Sequence, residues 1–185
     1  MFLKTRTEIV LAGVGGQGLI LIGKIIGEAA ALFEGKNAVQ TQSYGVASRG
    51  GFSKSEVVIS DEEVAYPEVL EPDLVLALSQ QSYDMYRSKI GKDSLLIFDS
   101  DTIEQRECSG KAIGYQITST AVNLHSMKIL NMIALGILAG LSVSRANIAG
   151  FPSYDSLKKS LEQNTPAQYK NLNLEAFETG YKLVN

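Results

Sequence analysis

The chain has 185 residues, 45% of them hydrophobic, and its net charge is −3. This size and composition fit one domain, residues 1–185, and the lack of a basic tract argues against nucleic acid as a partner. The longest apolar run, residues 132–141, is shorter than the roughly 18 residues of a membrane span, and residues 1–6 do not resemble a secretory signal. We therefore expect a cytoplasmic protein with no membrane partner.

A glycine-rich segment, residues 13–18 (GVGGQG), follows a predicted strand at 9–12 and precedes a predicted helix at 19–33. In this context G-x-G-x-x-G indicates a sharp turn whose following helix offers free N–H groups to an anion. Gly23 and Gly27 interrupt the helix at about 1 kcal/mol each relative to alanine. We expect both glycines to permit close approach to a sheet.

The second predicted strand, residues 38–43, lacks the acidic residue that binds the ribose in dinucleotide folds, about 20 residues after the glycines. Glu34 comes too early in the chain to take that place. NAD or FAD binding, the pyrophosphate of another ligand and a ligand-free turn all stay open.

Residues 41–52 are rich in glycine and small polar side chains and lie at the predicted carboxyl end of a strand. Ligands of open α/β sheets bind at such positions. Arg49 offers a bidentate donor for phosphate or carboxylate, and Gly50 and Gly51 let a backbone approach closely. A surface loop without a ligand is the alternative.

The remaining predicted elements complete an α/β pattern. Residues 53–60 form a strand without a preceding crossover helix, which predicts an antiparallel strand toward a sheet edge. Residues 73–79 and 94–99 read as buried parallel strands, with Ser79 as a helix N-cap, and 111–118 as an edge strand. A long helix at 121–141, capped by Ser119 or Thr120, is apolar over most of its surface and indicates an interface with a partner subunit. Ser153 is expected to cap a helix through Leu161 in a helical tail. The whole predicts a three-layer α/β/α sandwich with a mostly parallel, partly mixed, Rossmann-like sheet.

The isolated reactive residues favour structural roles. One cysteine and one histidine exclude an internal disulfide and a zinc or iron–sulfur site made by this chain alone. We interpret Cys108 as a surface thiol, His125 as a structural residue with an anion contact as the alternative, and Asp99 and Asp101 as turn residues rather than metal ligands. No catalytic constellation is visible, which suits a subunit better than a self-sufficient enzyme.

Five segments, in order, resemble the gamma subunit of 2-oxoacid:ferredoxin (acceptor) oxidoreductases. They are 13–18, then 43–45 with 49–51, then 55–60, 72–73 and 131–136. Residues 49–57 resemble the 2-oxoglutarate enzymes more than the pyruvate enzymes. The chain has Gly45-Val46-Ala47 where the family usually has Gly-Pro-Glu, so no role of that glutamate carries over.

The resemblance implies a non-catalytic subunit, inactive alone, of a complex that converts 2-oxoglutarate to succinyl-CoA and CO₂. Electrons would pass to ferredoxin or a flavodoxin-type carrier. The complex would use thiamine diphosphate with Mg²⁺ between alpha and beta subunits, iron–sulfur clusters in other subunits including a delta subunit, and coenzyme A. Alternatives are the gamma subunit of a pyruvate or indolepyruvate oxidoreductase, a stand-alone nucleotide-binding α/β domain and a purely structural adaptor.

The resemblance also assigns site residues in two groups. Four glycines would form the turn, with Gln17 as a possible polar contact, and a second group would line the edge toward coenzyme A or another subunit. The turn residues are Gly13, Gly15, Gly16 and Gly18, and the edge residues are Ser43, Tyr44, Arg49 and Gly50.

Overall fold

A computed structural model describes residues 6–44, 51–144 and 148–184. The strands are β1 (Arg6–Val14), β2 (Asn37–Tyr44), β3 (Phe52–Ser60), β4 (Leu74–Ala77), β5 (Leu95–Asp99) and β6 (Lys111–Tyr115). The helices are α1 (Leu19–Glu28), α2 (Gln80–Tyr86), α3 (Ile117–Asn123), α4 (Leu130–Ser144), α5 (Tyr154–Asn164) and α6 (Lys170–Lys182). A π-helical turn (Ala29–Phe33) extends α1, and 3₁₀ turns (Met127–Ile129 and Ala167–Tyr169) precede α4 and α6.

The six strands form one mixed sheet in the order β2-β3-β1-β4-β5-β6. Strands β1, β4, β5 and β6 pair in parallel, whereas β3 runs antiparallel to both β1 and β2. The mostly parallel sheet and the antiparallel β3 are confirmed. The expected position of β3 toward a sheet edge is also confirmed, because β3 lies next to the edge strand β2.

The two faces of the sheet are covered unequally. Helices α1, α4, α5 and α6 enclose the larger core, which includes Ile9, Leu74 and Ile97. A smaller core, with Val10, Val75 and Phe98, lies on the opposite face under α2 and the segment after β5. Helices thus lie on both faces as predicted, with a thin second layer.

The predicted helix at 19–33 is confirmed, with its last turn in π form. At Gly23 a Cβ atom would overlap the side chains of Gln40 and Ser55 on the sheet, so close approach is confirmed there. At Gly27 a Cβ would lie 4.0 Å from Ala38 and from Val57, an ordinary contact distance. Close approach does not explain Gly27, and that expectation is wrong.

The predicted helix at 121–141 is two helices. Helix α3 starts early, at Ile117, and ends at Asn123; His125, two residues later, has a left-handed φ of 56°. The N–H groups of His125 and Ser126 donate to the carbonyls of Val122 and Ala121, at 2.9 and 3.0 Å, which closes the last turn. His125 therefore has the predicted structural role, while Ser119 and Thr120 lie inside α3 rather than capping it.

Helix α4 is buried along residues 131–140. Its cover comes from this chain: Gly136 lies against the carbonyl of Phe177 and Gly180 against that of Ile133, so the backbones of α4 and α6 touch. The expectation that a partner subunit buries this helix is therefore wrong.

Candidate functional site

The glycine-rich loop, residues 13–18, leaves β1 at the carboxyl edge of the parallel strands. Gly16 and Gly18 have φ values of 99° and 71°, a conformation that L side chains rarely adopt. Gly18 is the N-cap of α1 and has no side chain with which to cap it. The start of α1 thus keeps the N–H groups and positive dipole end that attract an anion.

Gln17 holds this loop in shape. Its Oε1 accepts the N–H of Val14 and its Nε2 donates to the carbonyl of Leu78, each at 2.8 Å. A Cβ on Gly13 would overlap the Gln17 side chain, so a small residue is needed beneath the amide. The geometry gives Gln17 and Gly13 positioning roles within the turn.

The glycine-rich loop and the segment before β3 meet at one edge. The N–H of Gly15 donates to the carbonyl of Gly51 at 2.9 Å. Ser43, near the end of β2, is exposed and pairs with Lys54 of β3. Tyr44 is the last residue of β2. Arg49 and Gly50 lie outside the described residues, next to Gly51 in sequence.

A cleft of about 210 Å³ opens beside the glycine-rich loop. Its lining combines that loop with the turn before α4: Gly16, Gln17, Gly18, Met127, Lys128, Leu130 and Asn131. Asn131 is only 8% exposed; its Oδ1 accepts the N–H of Met132 at 3.0 Å, and its amide group lies against Gly18. Lys128 is exposed at the mouth of the cleft.

The chemistry of this cleft suits a phosphate group. It combines the start of α1, a lysine ammonium and an asparagine amide, with no carboxylate among the described residues that line it. Its volume fits one or two phosphate groups and not a whole dinucleotide, whose size is that of a much larger pocket. The sequence alone assigned no site role to Lys128 or Asn131. These residues reach the glycine-rich loop because the chain turns at His125, between α3 and α4, and the sequence signal for that turn is weak.

Asp99 and Asp101 stabilise the start of α3. The buried carboxylate of Asp99 accepts the N–H groups of Ile117 and Thr118 at 3.1 and 3.3 Å. Asp101 accepts both the N–H and the hydroxyl of Ser119, at 2.6 and 2.8 Å. Across residues 6–44, 51–144 and 148–184, no three His, Cys, Asp or Glu residues are grouped to hold a metal ion.

Two further expectations concern Cys108 and the membrane. The side chain of Cys108 is half-buried. No helix in the described part of the chain is long and apolar enough to cross a membrane.

Residues 8–183 match the family model described as pyruvate ferredoxin/flavodoxin oxidoreductase. The chain belongs to this family. Within the pyruvate ferredoxin/flavodoxin oxidoreductase family it is 41% identical to the 2-oxoglutarate synthase subunit KorC of Methanocaldococcus jannaschii, over 98% of this chain and 95% of that protein. The indolepyruvate oxidoreductase subunit IorB of Methanothermobacter thermautotrophicus is 29% identical, over 94% of this chain and 95% of that protein.

Solved structures of the pyruvate ferredoxin/flavodoxin oxidoreductase family share the fold. The gamma subunit of a keto/oxoacid ferredoxin oxidoreductase from Geobacter sulfurreducens superposes with a TM-score of 0.82 at 34% identity, covering 97% of this chain and 96% of its own. A 2-oxoglutarate:ferredoxin oxidoreductase from Magnetococcus marinus, with 2-oxoglutarate, coenzyme A and succinyl-CoA bound, gives 0.84 at 26% identity. That match covers 98% of this chain and 31% of the Magnetococcus chain.

Proposed function

We propose that this chain, as one domain over residues 1–185, is the gamma subunit of a 2-oxoglutarate:acceptor oxidoreductase. The complex decarboxylates 2-oxoglutarate, joins the succinyl group to coenzyme A and passes the released electron pair to ferredoxin or a related carrier. The observation that carries this proposal is the 41% identity, over almost the full length of both chains, to a 2-oxoglutarate synthase subunit. The 29% identity to the indolepyruvate subunit makes aryl pyruvates the weaker candidate.

The chemistry of the complex requires groups that other subunits must supply. A single cysteine cannot ligate an iron–sulfur cluster, for which several thiolates are needed. We place the iron–sulfur clusters, thiamine diphosphate and Mg²⁺ on alpha, beta and delta partners, in a cytoplasmic complex. The role of the gamma subunit is then binding and assembly rather than bond breaking.

The cleft beside the glycine-rich loop, together with the adjoining residues 43–50, is the proposed coenzyme A contact of this chain. The start of α1, Lys128 and the Asn131 amide would hold phosphate oxygens of the coenzyme in the cleft. Ser43, Tyr44, Arg49 and Gly50 would line the adjoining edge, toward the rest of the coenzyme or a carboxylate of a neighbouring subunit. The size of the cleft supports placing only the phosphates of the coenzyme inside it and the rest of the coenzyme outside, because the cleft has room for a phosphate portion only.

The overall proposal is tested by tagging the chain at native expression level and purifying it under anaerobic conditions. We expect thiamine- and cluster-bearing subunits in the eluate, with coenzyme A-dependent reduction of a viologen dye by 2-oxoglutarate. Pyruvate and indolepyruvate are assayed in parallel, and a dominant activity on either one would contradict the substrate assignment. A chain that elutes alone and inactive would contradict the function altogether.

The site assignment is tested by Lys128→Ala and Arg49→Ala in the same complex, with the exposed Lys92→Ala as a matched control. We expect Lys128→Ala to raise the KM for coenzyme A several-fold and to leave the KM for 2-oxoglutarate unchanged. Arg49→Ala would do the same if Arg49 binds phosphate, and would weaken assembly at constant KM if it pairs with a neighbouring subunit. Unchanged kinetics with Lys128→Ala would remove the cleft from the coenzyme site.

A further inference from the structure

The first eleven residues between β3 and β4, residues 61–71, form a loop with a fixed backbone although they contain no helix or strand. We call this segment the β3–β4 loop. The guanidinium of Arg6 donates to the carbonyls of Tyr66 and Glu68, at 2.9 and 2.8 Å. The buried carboxylate of Glu8 accepts the N–H groups of Leu70 and Glu71, each at 2.7 Å, and pairs with Arg6 at 2.6 Å. These contacts hold the β3–β4 loop at both its middle and its end.

This fixed loop presents two large apolar side chains to solvent. Tyr66 is 48% exposed and Leu70 is 69% exposed, while Val69 between them packs against the smaller core. Single exposed apolar side chains are common, whereas apolar side chains grouped on one surface mark an interaction site. Tyr66 and Leu70 are four residues apart on one held segment. A backbone that is already ordered also reduces the entropy that binding would cost.

The loop that carries these two side chains is acidic along its sequence. Residues 61–86 contain seven acidic residues and no lysine or arginine, so the rest of the chain, with a total of −3, carries +4. Five of the seven lie in the loop itself: Asp61, Glu62, Glu63, Glu68 and Glu71. Lys36 reaches only Asp61, at 3.5 Å, and Arg6 is engaged with Glu8 and the loop backbone. The surface is therefore complementary to a basic one.

The β3–β4 loop lies at the amino ends of the parallel strands, and the glycine-rich loop lies at their carboxyl ends. β4 begins at Leu74 beside Ile9, near the start of β1, whereas the glycine-rich loop follows the end of β1. A protein bound at the β3–β4 loop would leave the candidate coenzyme site open.

We propose that the β3–β4 loop docks another polypeptide of the oxidoreductase complex, through a basic surface that surrounds a shallow apolar hollow for Tyr66 and Leu70. This inference rests on the proposed function, because it needs a complex to dock to. Lysine and arginine of the partner would face the loop carboxylates, which guides encounter and fixes orientation. The two apolar side chains would supply the desolvated centre of the contact.

The test compares tagged chains purified anaerobically from cells that express the complex. One variant removes the apolar pair (Tyr66→Ala with Leu70→Ala) and another reverses charge (Glu62→Lys with Glu63→Lys). Matched controls are Leu32→Ala, at a side chain 64% exposed elsewhere, and Glu107→Lys with Glu175→Lys at exposed sites outside the loop. Circular dichroism checks that each variant is folded, and size-exclusion chromatography at rising salt gives the assembled fraction.

We expect each loop variant to lower the assembled fraction at least tenfold at moderate salt, and the controls to match the wild type. In the purified wild-type complex, a carbodiimide should cross-link Glu68 or Glu71 to lysines of another polypeptide. Equal assembly of loop variants and controls would overturn the docking proposal while leaving the proposed function intact. Cross-links confined to this chain or to a second copy would also overturn it, and a wild-type chain without any partner would overturn both proposals.

Discussion

Gln17 and Leu78 join the ends of two adjacent parallel strands. The Gln17 amide donates to the Leu78 carbonyl after β4 and accepts from Val14 at the end of β1. One side chain thus fixes the glycine-rich loop relative to the centre of the sheet.

Gln17→Leu keeps the side-chain size but removes both hydrogen bonds. Because the N–H of half-buried Val14 and the carbonyl of buried Leu78 lose their partner, we expect a loss of about 1–3 kcal/mol in the free energy of unfolding. Urea denaturation of the purified chain measures it. Gln42→Leu, at an exposed position on β2, is the control, and an equal effect there would contradict the bridging role.

Gly18 and Asn131 should be energetically coupled. An alanine at Gly18 has to adopt φ near 71°, at about 1–2 kcal/mol, and its Cβ overlaps the Asn131 amide, at about 1–3 kcal/mol more. We expect Asn131→Ala to relieve the second part in the double variant. A double-mutant cycle of urea denaturation measures the coupling.

Gly16→Ala is the control for that cycle, because Gly16 also has positive φ while a Cβ there would meet nothing within 4 Å. Its cost should be conformational only and independent of Asn131. An identical cost of Gly18→Ala in both backgrounds would contradict the steric coupling.

Asp99→Ala should be among the most destabilising single substitutions at the carboxyl edge. The buried carboxylate accepts hydrogen bonds from Thr102, Ile117 and Thr118, and its removal leaves these donors without an acceptor. We expect a loss of about 3 kcal/mol or more. Thermal unfolding compares it with Asp101→Ala, an exposed cap expected to cost about 1 kcal/mol. A similar loss in the two variants would contradict the dominant role of Asp99.

The titration of Tyr86 should make the free energy of unfolding fall as the pH rises in the alkaline range. Burial, together with the nearby Glu56 carboxylate, raises the pKa of Tyr86 from 10.0 to about 12. The unfolded chain therefore releases this proton first, so the contribution of Tyr86 is complete below about pH 10 and is lost as the pH rises to about 12. Because Tyr86 is only half-buried, solvent screening reduces the effect, and the loss should reach about 1–2 kcal/mol.

Tyr86→Phe removes the titrating hydroxyl and should flatten the fall in unfolding free energy between those pH values. Denaturation across this range, with the phenolate absorbance of the native protein, measures both effects. Tyr169→Phe, at an exposed tyrosine, should leave the slope as it is in the wild type. A slope unchanged by Tyr86→Phe would contradict the assignment.

The sheet could be predicted because its strands are continuous apolar runs, as at residues 74–77 and 95–99, and hydrophobic periodicity is a local signal. The capping roles of Ser79 and Ser153 were likewise local, and both are confirmed. What sequence reasoning missed depends on tertiary contacts. The start of α3 is set by Asp99, which lies 18 residues before Ile117 in the sequence. The cleft forms because the chain turns at His125, after α3, so that Asn131 at the start of α4 lies against Gly18. Such pairings leave no periodic pattern.

The contact between α4 and α6 has a consequence for synthesis. Helix α4 is buried along residues 131–140, and the backbone that covers Gly136 belongs to residues some forty positions later. While the ribosome is making the intervening segment, the nascent chain exposes α4, and exposed apolar surface of this kind favours aggregation. Truncations that end before α6 should therefore accumulate as inclusion bodies or chaperone-bound species, because α4 would have no cover from its own chain.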